Sequence, residues 1–256
     1  MDVIPSGVEE SLDASQGTRD VSASLDMTRR LFASLDIYHD DAPHSAAMNM
    51  GIDEALLEQV TVASIRFYRW RVPALSFGYF GEFGEVAIHE RKRDLVRRWT
   101  GGGIVFHGDD LTYAIVIPAS DTAFGESSIS IYENVHRALC YTLAEMGQRA
   151  VVAGVGDPGS GINDAGYNTH CFANPVRADV MLNGRKIAGA AQRRTRRGLL
   201  QQGSIQGVDL ENDLAERFAH ALSVNCSERQ MSREILDRAR ELAQQKYGAD
   251  FWLRMR

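Results

Sequence analysis

The spacing of apolar and polar positions predicts helices and strands that do not alternate strictly along the chain. Residues 44–60 place Met48, Ile52, Ala55 and Leu56 on one face of a helix. Further helical patterns cover 131–147, 210–222 and 228–247. Strand-like runs cover 64–70, 74–78, 111–118, 177–182, 185–192 and 199–205. Strands mixed with helices in this order predict an α+β fold, a mixed β-sheet flanked by helices.

Two glycine-containing segments connect these elements in different ways. Asn183 and Gly184 lie between two strand-like runs, which is the strongest short signal for a β-hairpin. Residues 153–169 have the composition of a loop. This loop contains a G-x-G-x-x-G spacing, but Pro158 interrupts it and no helical pattern follows. A dinucleotide-binding unit needs that helix, so we do not predict one here.

Composition is typical of a water-soluble globular protein. The 256 residues are 44% hydrophobic and 24% charged, enough for one large core. We predict a loosely packed or disordered segment at 1–30, a catalytic domain at 31–225 and a helical C-terminal appendage at 226–256. The formal net charge of -6 argues against bulk nucleic-acid binding, which requires many cations.

Targeting and cysteine signals are consistent with a cytoplasmic protein. The first 30 residues lack a signal-peptide pattern, and no apolar run approaches the length of a membrane span. The three cysteines have unrelated spacings, which favours reduced thiols over a disulfide framework. None has the spacing of zinc ligands, so we predict no metal site.

The most unusual segment is RRWTGGGIVFHGDDLTY at 97–113, which contains three consecutive glycines. One interpretation is a hairpin in which residues 95–99 and 104–106 pair as antiparallel strands. The other is a ligand loop, because Arg97 and Arg98 offer planar donors to an anion, and His107 follows on the same rim.

A second candidate site extends from Cys171 to Gln192. Cys171 follows the glycine-rich loop, and Lys186 lies in a short GRKIAGAAQ run across the predicted hairpin. If the strands pair, the Lys186 ammonium would favour the Cys171 thiolate. The alternatives are a buried, inert cysteine and a solvated basic strand end. The arginines that follow are expected to face solvent or an acidic protein partner: Arg193, Arg194, Arg196 and Arg197.

Four motifs occur in one order: MNMGIDEALL, LSFGYF, RRWTGGGIVFH with DLTY, and GRKIAGAAQ with GSI. Together they resemble the biotin/lipoate protein ligase and octanoyltransferase superfamily, over about residues 45–222. The resemblance implies an acyl tunnel beside the glycine triplet. It also implies substrate contacts from Gly78, Arg98, Gly101, Gly102, Gly103, His107, Gly189 and Ala190.

Members that use a covalent thioester have a Cys-Phe pair before the GRK strand, and Cys171 occupies that position. The resemblance therefore implies that Cys171 accepts octanoate from an acyl carrier protein, without a cofactor, and passes it to a lysine of a lipoyl domain or glycine cleavage H protein. Lys186 would hydrogen-bond the acyl carbonyl and stabilise the oxyanion. His107 is expected to orient the loop rather than act as a base.

Two alternatives remain open. An ATP-dependent lipoate-protein ligase would use ATP and Mg and form lipoyl-AMP. Such ligases usually carry an accessory domain, and only about 35 residues follow Leu222 here. A non-catalytic acyl-binding protein is the other alternative, because Gln202 stands where relatives commonly have His, and an amide cannot carry a charge near pH 7.

Overall fold

The structure is a computed structural model that describes residues 30–154, 176–210 and 213–256. Its strands, in chain order, are β1 (Leu35–His44), β2 (Ser64–Trp70), β3 (Ala74–Phe77), β4 (Asp94–Arg97), β5 (Val105–His107), β6 (Leu111–Pro118), β7 (Val151–Val152), β8 (Val180–Leu182), β9 (Arg185–Arg194), β10 (Gly198–Ile205) and β11 (Cys226–Glu228). Its helices are α1 (Ala46–Gln59), α2 (Ser128–Glu145), α3 (Leu214–Leu222), α4 (Arg233–Leu242) and α5 (Asp250–Leu253).

The strands form a large sheet and a small one. The large sheet has the order β11-β1-β2-β6-β10-β9-β8-β7, and the small sheet has the order β4-β3-β5. In the large sheet β1 pairs in parallel with β2 and β11, whereas β2, β6, β10, β9, β8 and β7 pair antiparallel. The predicted mixed sheet flanked by helices is therefore confirmed.

The central strands of the large sheet carry apolar side chains on both faces. Helices therefore cover both faces of this sheet. Ile115 of β6 belongs to the core that includes α2 and α3, whereas its neighbour Ala114 belongs to the core that includes α1 and α4. Helix α1 lies between the sheet and α4, so it is buried on most sides rather than along one stripe. Its first turn begins at Ser45, whose hydroxyl accepts a hydrogen bond from the main chain of Met48 at 3.3 Å.

Several predicted elements have the bounds that the sequence indicated. β2 and β6 coincide with the predicted runs, and β6 is central. The Asn183–Gly184 turn joins β8 to β9, with φ values of 52° and 75°. Positive φ at both positions is the geometry that makes Asn-Gly favourable in a tight hairpin.

Of the two interpretations of the glycine triplet, the hairpin of residues 95–99 with 104–106 is wrong. β3 lies between β4 and β5, pairing in parallel with β4 and antiparallel with β5. The glycine triplet therefore crosses over β3 instead of closing a two-strand turn. This leaves the triplet between the small sheet and the large one.

The C-terminal residues pack on the rest of the protein. β11 adds an edge strand beside β1, and α4 packs along α1. Helix α4 starts at Arg233, later than the predicted residue 228, because residues 226–228 form that strand. The predicted division at residues 30 and 225 stays a prediction. No helix within the described ranges is long and apolar enough to cross a membrane.

Candidate active site

An inner cavity lies between the two sheets, beneath α1. Its walls come from β2, β3, β5, β6, β9 and β10, and its exposed surface is mostly apolar. The lining residues are Met50, Tyr68, Trp70, Ser76, Arg98, Val105, His107, Thr112, Gly189, Ala190, Ala191, Gln202, Gly203 and Ser204. A concave apolar space with a few polar groups suits a ligand with an aliphatic chain.

An outer cavity continues from the inner one. Ala190 and Ala191 of β9 line both cavities, and the outer one also has Gly101, Gly102 and Tyr132 in its walls. A ligand that filled both would pass over the middle of β9. The main-chain N–H of Ala190 donates to the Tyr132 hydroxyl at 3.0 Å, so this N–H already has an acceptor within the protein.

Arg98 holds the glycine triplet in place from within. Its guanidinium donates to the carbonyls of Gly101 at 3.1 Å and Gly103 at 2.9 Å, and to the Ser76 hydroxyl at 2.6 Å. The side chain is buried, and the planar fork reaches three acceptors at once. Arg98 therefore shapes the cavity wall by fixing the loop.

Glycine is required at two places where this loop passes other backbone. A Cβ on Gly78 would overlap the carbonyl oxygen of Gly102. Gly102 itself has φ of 85°, and a Cβ there would lie 3.2 Å from that of Ala191. Gly101 differs, since an added Cβ would meet nothing within 4 Å.

Lys186 is a buried cation held by a buried carboxylate. Its Nζ lies 2.7 Å from Asp179 Oδ2, and Asp179 Oδ1 accepts a hydrogen bond from the Tyr132 hydroxyl at 2.7 Å. The side chain passes over Gly189, where a Cβ would come within 2.7 Å of Nζ. Gly189 therefore makes room for Lys186 at the wall of the inner cavity. Burying both charges is tolerable because they are paired and hydrogen-bonded.

His107 belongs to a buried hydrogen-bonded chain that starts at Arg98. Because Arg98 donates to the Ser76 hydroxyl, that hydroxyl can donate to His107 Nε2 at 2.7 Å, which leaves Nδ1–H to donate to Asp110 at 2.7 Å. Burial lowers the pKa of His107 despite the Asp110 carboxylate. A neutral imidazole fits this chain, and the role predicted for it, orienting the loop, stays a prediction.

Gln202 links the triplet to α1. Its Oε1 accepts from the Thr100 hydroxyl at 2.8 Å, and its Nε2 donates to Asp53 at 2.6 Å. Asp53 is fully buried and also accepts from Arg66 at 2.7 Å. The amide thus uses both of its ends, so an uncharged side chain satisfies the partners at this position.

Arg97 does not contribute to an anion site, which corrects the expectation from the Arg-Arg pair. Its guanidinium donates to the carbonyls of Tyr79, Gly81, Trp252 and Leu253 at 2.6–3.2 Å. Consecutive residues of a strand point to opposite faces, which is why its neighbour Arg98 alone faces the triplet. Arg97 instead fastens the C-terminal segment to the small sheet.

The predicted substrate residues fall into three groups. Arg98, His107, Gly189 and Ala190 line the inner cavity, and Gly101, Gly102 and again Ala190 line the outer one. Gly78 and Gly103 support the loop through its backbone. Lys186 contacts Gly189 at the cavity wall.

The three cysteines lie in three different parts of the chain. Cys171 and residues 155–175 around it lie outside the described residues. Cys140 is buried in α2, and burial raises the pKa of its thiol to about 12, so it is a poor nucleophile. Cys226 is a free thiol beside α3, on the edge strand β11.

Asp179 and Tyr132 are site residues that the sequence analysis missed. Asp179 lies just before the first strand of the hairpin that carries Lys186. If the two strands had been paired outward from the Asn-Gly turn, the pairing could have placed Asp179 near the strand of Lys186. Tyr132 lies on α2, and its contact with Asp179 depends on how the helix packs.

One group in the described part of the chain has ligand atoms close enough to hold a metal ion: His39, Glu216 and Glu228. It lies on β1, α3 and β11, and none of its members lines either cavity.

Comparison with known proteins identifies the family. The model of the lipoyl protein ligase A/B catalytic domain matches residues 45–245, so the chain belongs to this family. The octanoyltransferase LipM of Oceanobacillus iheyensis is 37% identical over 174 residues, which are 65% of this chain and 62% of that relative. The octanoyltransferase LipM of Symbiobacterium thermophilum is 29% identical over 269 residues, 85% of this chain and 96% of that relative.

Solved structures share the fold. Lipoate-protein ligase A bound with ATP superposes with a TM-score of 0.68 at 21% identity, over 86% of this chain and 98% of that one. A structure from work on a bi-partite lipoate protein ligase and its E2 lipoyl domain from Thermoplasma acidophilum gives a TM-score of 0.64 at 20% identity, over 86% of this chain and 95% of that one.

Proposed function

We propose that the protein transfers an octanoyl group from an acyl carrier protein, through a thioester on Cys171, to the target lysine of a lipoyl domain. The observation that carries the proposal is Lys186, a buried cation that is paired with Asp179 and packs against Gly189, a residue of the apolar cavity wall. The relatives named octanoyltransferase support the same reaction. The acceptor would be a lipoyl domain or the glycine cleavage H protein.

The reaction balances without ATP. The Cys171 thiolate attacks the carbonyl carbon of the octanoyl thioester, and the thiolate of the carrier leaves. The neutral amine of the acceptor lysine then attacks the Cys171 thioester. An amide forms, the Cys171 thiolate leaves, and the amine proton passes to solvent or to that sulfur.

Lys186 would act in both steps on the same atom. The carbonyl oxygen gains negative charge in each tetrahedral intermediate, and an ammonium already oriented by Asp179 stabilises it without reorganising. Main-chain N–H groups near Gly102 and Gly103 would share this role. The octanoyl chain would occupy the inner cavity.

Intact mass tests the first step. After incubation with octanoyl-acyl carrier protein, the protein is expected to gain the mass of one octanoyl group, and Cys171→Ala is expected to gain none. Cys140→Ala and Cys226→Ala are the matched controls and should still be acylated. An adduct that survives Cys171→Ala would contradict the proposal.

An ATP-dependent lipoate-protein ligase is the alternative, with ATP and Mg as requirements. The solved ligases resemble this chain at about 20% identity, which supports the fold only. Attachment of lipoate to a lipoyl domain that requires ATP and survives Cys171→Ala would favour this alternative.

A further inference from the structure

A basic groove adjoins the outer cavity at the far end of β9. It is lined by Trp99 and by residues 193–197, which are the end of β9 and the turn to β10, with Leu57 and Glu58 on the other side. Two of its walls continue from the cavity, because Ala191 and Gly101 line the cavity while Arg193 and Trp99, two residues away in each case, line the groove. A ligand that extended from the outer cavity along this face of β9 would therefore reach the groove.

The groove has an excess of positive charge in a protein whose net charge is -6. Arg197 lies 3.6 Å from Glu58, but Arg238 already binds that carboxylate at 2.6 Å. Arg196 is exposed and has no hydrogen bond or ion pair within the described residues. Arg193 stacks over Trp99 at 5.1 Å, and its buried Nε has no hydrogen-bond partner there. The planar guanidinium groups of these arginines are suited to donate hydrogen bonds to phosphate oxygens.

The spacing of residues along β9 sets the distance between an anion in the groove and the reacting carbonyl. Gly189, against which Lys186 packs, is four residues from Arg193, and alternate residues share one face of the strand. Four residues of strand span about 13 Å. A pantetheine arm has about thirteen bonds between its sulfur and its phosphorus, as many as about four residues of extended peptide, or about 14 Å.

We infer that the groove of Trp99, Arg193, Arg196 and Arg197 binds the phosphodiester of the pantetheine arm of the acyl carrier protein. The inference rests on the proposed function, since it places the thioester of that arm at Lys186. Charge separates the donor from the acceptor: a phosphodiester is attracted to these arginines, whereas the ammonium of an acceptor lysine is repelled by them.

The test measures the affinity of the carrier for the wild type and for an Arg196→Ala/Arg197→Ala double variant. Neither residue lines the inner or the outer cavity. Arg233→Ala/Arg240→Ala is the matched control, because it also removes two exposed arginines, from α4. Isothermal titration uses octanoyl carrier protein and the same carrier without its pantetheine arm.

The groove variant is expected to bind octanoyl carrier protein about tenfold more weakly, as the loss of two exposed phosphate contacts implies, and the control variant is expected to bind as the wild type does. The carrier without its arm should not distinguish the three proteins. Unchanged affinity of the groove variant for octanoyl carrier protein overturns the inference. Equal losses for the two carriers also overturn it, because the arginines would then contact carrier side chains.

A neutral donor separates this inference from the proposed function. S-octanoyl-N-acetylcysteamine has a thioester but no phosphate, so the groove variant is expected to form the Cys171 adduct from it at the wild-type rate. If the wild type forms no adduct from either donor, the proposed function fails, whereas the titration reports on the groove independently. A groove variant that loses affinity for the lipoyl domain instead would assign the groove to the acceptor and contradict the inference.

Discussion

Lys186 and Arg98 are buried cations beside the same cavity: Arg98 lines it, and Lys186 packs against Gly189, which lines it. The structure holds the two side chains in different ways. The ion pair described for Lys186 is with the carboxylate of Asp179, whereas the hydrogen bonds described for Arg98 go to a hydroxyl and two carbonyls. The Lys186 ammonium is a compact point charge beside a carboxylate. The Arg98 guanidinium binds three acceptors at once and so fixes their relative positions.

This difference predicts that Lys186 and Arg98 have different roles in the site. The Lys186 wall supplies charge where an acyl carbonyl would react, and the Arg98 wall keeps the glycine triplet at a fixed distance from β9. Changes on the first wall that remove both charges together should reduce the rate while the fold persists. Changes on the second should alter stability and cavity shape.

The largest effect is expected when the charge of Lys186 is removed. Lys186→Met alone leaves Asp179 buried without its cation, which should lower the free energy of unfolding by about 3 kcal/mol. Adding Asp179→Asn should restore most of that stability. Acylation of Cys171 should stay about 10³-fold slower in the double variant, because the oxyanion has lost its donor.

Mass spectrometry over time gives the acylation rate, and chemical denaturation gives the stability. Arg185→Ala, an exposed neighbour on the same strand, is the control and should acylate normally. A double variant that acylates at the wild-type rate would remove Lys186 from the reaction.

The second effect concerns the loop. Gly78→Ala should lower the free energy of unfolding by about 3 kcal/mol, because its Cβ would overlap the Gly102 carbonyl and displace the triplet. Gly101→Ala adds the same methyl group to open space and should change stability by less than about 0.5 kcal/mol. Urea denaturation of the two variants makes the comparison. Equal losses would show that the close approach of Gly78 to the triplet does not constrain the loop.

The smallest expected effect is a dependence of the protein's stability on pH, which arises from a histidine near Asp179. His136 donates from Nδ1 to the carbonyl of Ala178, next to Asp179, and its Nε2 lies 3.1 Å from the Tyr113 hydroxyl. Burial lowers the pKa of His136 to about 4, below the value of about 6.5 expected for the unfolded chain. The unfolded state therefore binds the proton first, and stability is lost as the pH falls from about 6.5 to 4.

Between pH 7 and pH 5 this single group is expected to cost about 2 kcal/mol of unfolding free energy. His136→Gln should lose less stability than the wild type over that interval, whereas the exposed His220→Gln should lose as much. Denaturant titrations at the two pH values measure the difference. A His136→Gln slope equal to that of the wild type would contradict the neutral, buried state of this histidine.

The sequence was sufficient wherever local pattern decides structure. β2 and β6 alternate or run apolar over their whole length, and the Asn183–Gly184 turn requires positive φ, so these elements were predictable. The order of the four motifs was sufficient for the family. These signals do not depend on which distant segments meet.

Long-range pairing accounts for what the sequence analysis missed. Nothing in residues 95–106 indicates that β3 inserts between β4 and β5, so the hairpin was the simpler prediction. Arg97 and Arg98 look alike in sequence, and the acceptors of Arg97, among them the carbonyls of Trp252 and Leu253, come from segments that the sequence does not connect with it. Tyr132 reaches Asp179 from a helix 47 residues away, a contact set by how α2 packs against the sheet.

The most direct test of octanoyl transfer is a chase of the isolated acyl-enzyme. The octanoylated protein, freed of carrier protein and nucleotide, is mixed with an excess of unmodified lipoyl domain, and the masses of both proteins are followed. We predict that the octanoyl mass leaves Cys171 and appears once on the lipoyl domain, mole for mole, without ATP. An adduct that stays on the protein, or that moves only when ATP is added, would contradict the account.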